Sequence, residues 1–441
     1  MLAIVDWPLI YQVSEKGGEP KVIRAPDTAQ NEFSCEYPYF LPDGRNYLFT
    51  LKSSIASKNG IYVASLDSNE KKQLLSGVAS NVMYSDDGYL LFLQERTLNA
   101  RPFDVKRLIL SEESYSIATD ILVDVWGQSA FSVSQSGTLI YRNAEGQSQS
   151  QFIWFDRDGG EIETAGDAGK YAPNFDLSPD EKKIAVSERD PISLNAEIYI
   201  IDTHLNDRTR LTFKSGNDGD VVWSPDGLRV GFDSLRSGNA DIYEKEIDSI
   251  RDERILIAES ENEWMEDWSQ DGKYIIYLAT DGLTESIRAL LLSEDQEPLT
   301  IVESTFNLDE PHLSFDGKWL AYNSNKSGTW EIYITPFSET AGQEYKISTG
   351  SGVQPRWRKD GKELYYLTLE GKMMAVNIEA NTKIERGTPN ELFDTKLSVD
   401  PLRDQYDVSS DGKRFLLLKP LAEAESTPIT VTFNWTKLLN Q

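Results

Sequence analysis

The chain has 441 residues, 39% of them hydrophobic, and a formal net charge of −28 from 44 Lys and Arg against 72 Asp and Glu. This excess of carboxylates disfavours binding to nucleic acid or to an anionic membrane surface, because both need clustered positive charge. The single cysteine, Cys35, excludes an internal disulfide framework and a Cys-based metal cluster, and no stretch approaches the ~20 apolar residues of a membrane-spanning helix.

Short runs of β-branched and aromatic residues, separated by Gly, Pro, Asn and Asp, predict β-strands throughout the chain. The first strands are predicted at residues 3–6, 10–13 and 21–24. A turn of the Ser-Pro-Asp-Gly type follows, in which Pro presets φ, Asp bonds its own backbone and Gly takes a positive φ. Nine copies of this turn recur about every 45 residues: Leu41–Gly44, Ser85–Gly88, Ser134–Gly137, Ser178–Glu181, Ser224–Gly227, Ser269–Gly272, Ser314–Gly317, Arg358–Gly361 and Ser409–Gly412.

A period of about 40–45 residues is typical of a β-propeller, in which each repeat forms one four-stranded antiparallel blade. We therefore predict an all-β fold with a single propeller over residues 1–441. Residues 403–436 are expected to join residues 1–25 in a composite blade, which would leave no free sheet edge. The complete repeats fall near residues 34–75, 78–120, 127–166, 171–213, 218–258, 263–303, 308–348 and 352–394.

The number of blades in the ring stays open at this point. Eight complete repeats and one composite blade give nine blades as the literal count. A ring of eight blades with a terminal appendage is an alternative. A truncated array, whose missing blades would precede Met1, is a third possibility.

Polar residues recur at one position of the predicted innermost strands, three residues before the apolar residue that precedes each turn. In the first eight repeats this column reads Tyr37, Asn81, Ala130, Asn174, Asp220, Met265, Glu310 and Gln354, and Glu266 lies beside it. Because the innermost strand of each blade lines the channel, we expect the polar members to surround the channel mouth and to attract a cationic peptide segment. The predicted ligand-binding residues are Tyr37, Asn81, Asn174, Asp220, Glu266, Glu310 and Gln354.

Few residues offer catalytic or metal-binding chemistry. The two histidines, His204 and His312, exclude a His-rich zinc site by their number. No Gly-x-Ser-x-Gly elbow, His-Glu-x-x-His motif or phosphate-binding Gly-rich loop occurs. Residues 156–161 place carboxylates before Gly as a calcium loop does, but an Asp-Gly hairpin turn explains them better. We predict no catalytic residue, no metal and no cofactor.

The repeats also carry a family resemblance. Trp223–Gly227 together with Asp241–Tyr243 resembles the WD40-like PD40 repeat of the TolB family of β-propellers. Further segments match in order over nearly the whole chain, and together they resemble the C-terminal propeller of bacterial membrane serine/threonine kinases and winged-helix regulators. These segments are residues 39–44, 60–67, 130–134, 154–157, 354–361, 406–409 and 427–436.

The resemblance implies an extracytoplasmic sensing or protein-binding unit without catalytic residues. The opening residues are too short and too soon charged for a signal peptide, so the compartment stays open. The preferred hypothesis is a non-enzymatic binding or sensor module with a protein or peptide partner, or a small molecule, at the channel mouth. On this hypothesis the protein binds no nucleic acid and does not itself insert into a membrane. The alternative is a propeller hydrolase of the glycosidase type, or one domain of a peptidase.

Overall fold

The structure of the chain is a computed structural model of strands and short 3-10 helices. It describes residues 2–6, 9–14, 16–53, 55–78, 80–94, 96–123, 128–143, 149–189, 195–205, 207–214, 216–237, 239–249, 251–259, 261–281, 284–293, 297–338, 342–380, 383–421 and 428–440. The 3-10 helices are Thr28–Gln30, Ala56–Lys58 and Trp435–Asn440. Across these described ranges, no helix has the length and apolarity to cross a membrane.

The residues divide into two compact units, and the first consists of Met1–Gln147 and Ala424–Gln441. Its described residues form four antiparallel sheets. They are β1 (Leu2–Asp6), β2 (Leu9–Val13) and β3 (Lys21–Arg24); β4 (Glu32–Phe40), β5 (Asn46–Ser53), β6 (Gly60–Ser65) and β7 (Lys71–Ser76); β8 (Val82–Ser85), β9 (Tyr89–Gln94), β10 (Thr97–Asp104), β11 (Ile109–Leu110) and β12 (Tyr115–Ala118); and β13 (Phe131–Val133), β14 (Thr138–Tyr141) and β40 (Thr430–Phe433).

In the second unit, Ser148–Glu423, the described residues form six antiparallel sheets, which we number as blades in the order of their innermost strands. Blade 1 is β17 (Tyr171–Leu177), β18 (Lys183–Arg189), β19 (Ala196–Asp202) and β20 (Arg208–Arg210). Blade 2 is β21 (Asp218–Trp223), β22 (Arg229–Ser234), β23 (Asp241–Glu246) and β24 (Arg254–Ile257). Blade 3 is β25 (Asn262–Trp268), β26 (Tyr274–Thr280), β27 (Glu285–Leu291) and β28 (Leu299–Ser304).

The other three blades complete this unit. Blade 4 is β29 (Leu308–Leu313), β30 (Trp319–Ser324), β31 (Glu331–Pro336) and β32 (Tyr345–Lys346). Blade 5 is β33 (Val353–Trp357), β34 (Glu363–Leu367), β35 (Lys372–Ala380), β36 (Ile384–Arg386) and β37 (Asn390–Asp394). Blade 6 has the order β38 (Tyr406–Val408), β39 (Arg414–Pro420), β15 (Ser150–Asp156) and β16 (Glu161–Gly169), so it combines strands from both ends of the unit.

Each blade of this unit is hydrogen-bonded to the next, and blade 6 is bonded to blade 1, so the six blades close a ring. The bonds, in ring order, are Trp223 N to Asp176 Oδ2 (2.6 Å), Glu263 N to Ala240 O (2.8 Å), Leu313 N to Asp267 Oδ2 (2.7 Å), Trp357 Nε1 to His312 O (3.0 Å), Tyr406 Oη to Gln354 O (2.8 Å) and Leu177 N to Asp407 Oδ2 (3.1 Å). The all-β propeller prediction is confirmed. The count of eight or nine blades in one ring is not confirmed, since these six sheets already close.

The predicted composite blade of residues 403–436 with residues 1–25 is wrong. β38 and β39 pair with β15 and β16, β40 pairs with β14, and β1–β3 pair among themselves. The predicted repeat at 127–166 is divided for the same reason, because β13 and β14 lie in one sheet and β15 and β16 in another. The cause is hydrophobic: Phe152 and Trp154 of β15 share a buried core with Leu416 and Leu418 of β39.

All nine predicted turns adopt the expected conformation at their last residue. In eight of them a glycine has φ between 64° and 88°. Glu181 takes the same place in the fourth turn with φ 61°. In the turn of blade 2, the Ser224 hydroxyl donates to Asp226 Oδ1 (2.5 Å) and accepts from Arg229 N (3.0 Å). These local bonds fix the hairpin between the two inner strands of a blade and so position the channel wall.

Candidate functional site

A bulge recurs in the innermost strands of blades 1 to 5. The pairing with the second strand shifts register at Tyr171/Phe175, Gly219/Val222, Met265/Asp267, Asp309/His312 and Val353/Arg356. Four residues at these shifts have positive φ: Asn174 (74°), Asp220 (30°), Glu310 (51°) and Gln354 (57°). A bulge leaves residues outside the ladder and re-aims their side chains. Five of the predicted ligand-binding residues, these four and Glu266, therefore lie at equivalent bulges of one ring.

Two of the five connect neighbouring blades through their side-chain amides. Asn174 Nδ2 donates to Asp220 Oδ1, and Asn174 Oδ1 accepts from Asp404 N (2.7 Å). Gln354 is fully buried, and its Oε1 accepts from Gln405 N (3.0 Å). These amides therefore hold blades together around the axis of the ring.

Tyr37 and Asn81 lie in the other unit and so do not belong to the six-blade ring. Asn81 Oδ1 accepts from Ser129 N (2.8 Å), and its Nδ2 donates to Ser129 O (3.2 Å). Tyr37 has φ 52° at the bulge of β4, where register shifts between Glu36 and Tyr39. Tyr37 thus lies at a bulge like those of the ring, and Asn81 directly precedes β8, both in a separate unit. Their predicted part in binding stays a prediction.

A cavity of about 170 Å³ lies on the side of the ring where the Ser-Pro-Asp-Gly turns are. We call it the turn-side cavity. Of the seven predicted residues, only Glu266 lines it. Its inner wall is formed by the residues that stand two positions before the first residue of each turn: Asp176, Val222, Asp267, His312, Arg356 and Asp407. The sequence carries a signal for this column, because five of its six members are titratable, whereas the predicted column lies two residues earlier in the strands of blades 1 to 5.

Three carboxylates of this wall each accept a backbone N–H from the next blade, namely Asp176 from Trp223, Asp267 from Leu313, and Asp407 from Leu177. Burial raises the pKa of Asp267 and of Asp407 to about 6 in spite of these bonds and of nearby Arg356. Burial, with the charge of Asp407, raises the pKa of Asp176 well above its usual value.

Arg356 is the centre of the charged network in the channel, and it is 8% exposed. One nitrogen, Nη2, forms an ion pair with Asp404, and the other, Nη1, contacts His312 Nε2 and lies 3.8 Å from Glu310 Oε2. Burial and the carboxylates of Asp404 and Glu310 act in opposite directions on the guanidinium, and its pKa is raised. It is therefore a permanent cation in the folded protein.

The neighbours of Arg356 titrate in different directions. Burial raises the pKa of Glu310 well above its usual range, and the adjacent Asp404 raises it further. Burial opposes ionisation of Asp404 as well, but the charge of Arg356 outweighs it and lowers that pKa. Burial, with the charge of Arg356, lowers the pKa of His312 well below its usual value. These shifts favour an Asp404 carboxylate, a protonated Glu310 and a neutral His312 around one guanidinium.

The turn-side cavity has an excess of acidic groups. Six of its lining residues are acids and two are cations: Asp176, Glu181, Glu266, Asp267, Asp404 and Asp407 against Arg356 and Lys359. The side chains of Trp223, Trp268 and Trp357 form apolar wall. A concave site with apolar walls and a few convergent charges is suited to a cation carried on an apolar stem.

One cluster in the channel and the calcium-like segment predicted from the sequence have groups that could hold a metal ion. Glu310, His312 and Asp404 bring one ligand atom each to within 4.8 Å of one another, but Arg356 already contacts all three as a cation. At the calcium-like segment, Asp156 Oδ1 accepts the N–H groups of Asp158 (2.9 Å) and Gly160 (2.8 Å). That segment forms the predicted hairpin turn between β15 and β16.

Comparisons with known proteins agree with this architecture. Residues 166–314 match the family model described as "TolB beta propeller domain" (PD40). The structure of a putative TolB from Agrobacterium tumefaciens is similar with a TM-score of 0.51 and 15% identity, over 62% of this chain and 99% of that one. The comparison with curated proteins returned no match.

Two further solved structures resemble the chain more weakly. TolB from Acinetobacter baumannii has a TM-score of 0.41 and 16% identity, over 77% of this chain and 79% of that one. The tricorn protease has a TM-score of 0.38 and 12% identity, and the match spans 97% of this chain but 46% of the protease. The family match falls within the six-blade ring. The chain therefore contains, at residues 166–314, a segment that matches the TolB β-propeller family model.

Proposed function

We propose that this protein is a binding module that takes a cationic segment of a protein or peptide partner into the turn-side cavity of its six-blade ring. The ligand class is a Lys or Arg side chain, or a free amine, presented on a flexible segment. The observation that carries the proposal is the acid excess in that cavity, where six carboxyl side chains face two cations.

The charge state of the lining supports a cationic ligand at neutral pH. Asp267 and Asp407, with pKa values of about 6, are ionised at pH 7. Asp404 is also ionised, but Arg356 neutralises it. Asp267 and Asp407 each already accept two backbone N–H groups, and a neighbouring cation would compensate the charge that remains. Such a ligand would form ion pairs in surroundings with less screening than the outer surface.

The shape of the cavity supports a side chain rather than a folded domain. A volume of about 170 Å³ has room for a side chain at the tip of a segment. The indole rings of Trp223, Trp268 and Trp357 offer apolar surface to the methylene groups of Lys or Arg. Residues of the surrounding turns, such as Pro179, Pro225 and Phe315, form the outer part of the lining and would contact the flanking backbone.

The alternative function, a hydrolase, would use Glu310 and Asp404. Their opposite pKa shifts resemble those of an acid and base pair. However, Glu310 is 3% exposed and is not among the residues that line the cavity. A substrate in the cavity would reach Asp404 alone of the two. The arrangement therefore favours binding over hydrolysis.

The experiment is thermal unfolding of the full chain with candidate ligands at pH 7: a Lys-rich peptide, a Glu-rich peptide of equal length, peptidoglycan fragments and oligosaccharides. A ligand at 100 times its Kd adds about 2.7 kcal/mol of stability. We expect a rise in Tm with the Lys-rich peptide only, and a smaller rise in the Asp407→Asn and Asp267→Asn variants, which remove the two carboxylates with pKa values of about 6. The control Glu379→Gln removes an exposed carboxylate of β35 and should respond as the parent does. Equal shifts in all variants would contradict the proposal.

A further inference from the structure

Three glutamates converge at the start of blade 3, away from the turn-side cavity. Glu259, Glu261 and Glu263 each bring a carboxylate oxygen to within 4.8 Å of the others. Glu263 is the first of them within a strand, near the start of β25, and its N–H donates to Ala240 O of blade 2 (2.8 Å). The cluster therefore lies at the seam between blades 2 and 3.

Two polar side chains at this seam are fully buried without a hydrogen-bond partner within the described part of the chain. Both carboxyl oxygens of Glu263, which is 0% exposed, are unbonded. The hydroxyl of Tyr277, also on a 0% exposed residue, is unbonded as well. Buried polar groups in native proteins are nearly always satisfied, so an unpartnered pair of this kind points to a bound group.

The Tyr277 hydroxyl faces the same cluster. Tyr277 lies directly opposite Arg288 in the pairing of β26 with β27, and Arg288 contacts the carboxylates of Glu259 and Glu261. Four oxygen-bearing side chains thus converge on one place. Glu259 and Glu261 precede β25, Glu263 lies within β25, and Tyr277 lies on β26.

One cation, Arg288, already lies beside the cluster. Its Nη2 is 2.7 Å from Glu261 Oε2, and its Nη1 is 3.5 Å from Glu259 Oε2. Glu263 makes no ion pair in the described structure. Three carboxyl groups therefore share one guanidinium, which leaves oxygen ligands available to a divalent cation.

We propose that Glu259, Glu261 and Glu263, with the hydroxyl of Tyr277, form a binding site for a divalent cation with hard oxygen preference, Ca²⁺ in the first instance. All the donors are oxygens, as Ca²⁺ requires, and neither His nor Cys is among them. The side chains of Glu259 and Glu261 are 39% and 29% exposed, which gives the ion a path from solvent. A bound ion would fasten the loop before β25 to the seam between blades 2 and 3.

The test is Ca²⁺ titration of the full chain after treatment with a chelator, without any peptide, so that it is independent of the proposed function. We expect Ca²⁺ to raise Tm and EGTA to reverse the rise. We also expect Tb³⁺ luminescence on excitation of the aromatic side chains, since Tyr277 and Trp264 adjoin the site. Glu261→Gln and Glu263→Gln should each weaken Ca²⁺ binding at least about tenfold, by the loss of one charged ligand. Glu303→Gln, an exposed position on β28, should leave it unchanged.

Two results would overturn the proposal. A wild-type protein that shows neither a Tm shift nor Tb³⁺ luminescence would overturn the proposal. So would a response that survives Glu261→Gln and Glu263→Gln but is lost in Glu310→Gln, because the ion would then lie in the channel. If Glu263→Gln fails to fold, Glu261→Gln decides alone, since Glu261 is partly exposed and the protein should tolerate the change.

Discussion

Arg356 shows how one side chain can organise the channel. It is a buried cation that contacts Asp404, Glu310 and His312, three groups that come from blades 4 and 6 and the segments before them. A buried ion pair contributes little net stability over an apolar pair, but removal of one partner leaves an uncompensated charge in a poorly solvated place. Loss of Arg356 would therefore leave the Asp404 carboxylate buried without a compensating charge.

We expect Arg356→Met to lower the free energy of unfolding by about 3–5 kcal/mol, the usual cost of a broken buried pair. Urea unfolding at pH 7 measures it. Lys359→Met removes an exposed charge three residues away and should change the free energy by less than about 0.5 kcal/mol. If the two variants had equal stability, Asp404 would not depend on Arg356.

Asp267 and Asp407 make the proposed binding depend on pH. Burial raises both pKa values to about 6, so the two carboxyls are neutral below that pH and anionic above it. The affinity for a Lys-rich peptide should therefore rise about tenfold between pH 5 and pH 7, which corresponds to about 1.4 kcal/mol. By the same shifts, the ligand-free protein should lose stability as pH rises from about 4 to 6. Isothermal titration at several pH values checks the affinity, and Asp407→Asn should flatten the profile.

At the scale of the element, carboxylate side chains bridge half of the seams between the innermost strands of the six-blade ring. Asp176, Asp267 and Asp407 each accept a backbone N–H from the neighbouring blade, so three of the six seams have the same bond. A side-chain acceptor suits this place because adjacent blades pack face to face and leave their innermost backbone unpaired.

We expect Asp176→Ala to lower the free energy of unfolding by about 1–3 kcal/mol, because the Trp223 N–H would lose its acceptor in a buried place. Asp176→Asn keeps an acceptor oxygen and resembles the protonated carboxyl that burial favours, so it should cost less. Thermal unfolding of both variants measures the difference. If both variants lost the same free energy of unfolding, the hydrogen bond to Trp223 would not be the cause of the destabilisation.

The sequence predicted what local chemistry decides and missed what distant partners decide. The nine turns were found because Ser, Asp and Gly act within four residues, as at Ser224 and Asp226. The pairing of β15 with β39 was missed because it depends on Phe152 and Leu416, which are more than 250 residues apart and carry no mark of their partner. The sequence predicted only part of the site. Glu266 lines the cavity as predicted, but the bulges of the inner strands change which column of side chains faces the cavity, and the sequence pattern does not show a bulge.

At the scale of the whole molecule, closure of the six-blade ring brings the innermost strands together around the turn-side cavity. Blade 6 closes the ring with β38 and β39 on the inside and β15 and β16 on the outside. A closed ring removes free sheet edges, so its stability depends on the last blade.

We expect a fragment of residues 148–423 to unfold in one cooperative transition, and a fragment of residues 148–402 to lose that transition. The shorter fragment lacks Leu416 and Leu418, the core partners of Phe152 and Trp154. Near-ultraviolet circular dichroism during heating measures both. A native-like transition in the shorter fragment would show that blade 6 is not needed for closure.

The most direct measurement of the central claim is the location of a bound cationic segment. A Lys-rich peptide that carries one photoreactive residue is cross-linked to the full chain, and the adducts are mapped by mass spectrometry. The account predicts adducts on turn residues around the cavity, such as Pro179, Pro225, Phe315 and Lys359, and their loss with excess unlabelled peptide. Adducts confined to the outer strands β20, β24 and β28 would contradict it.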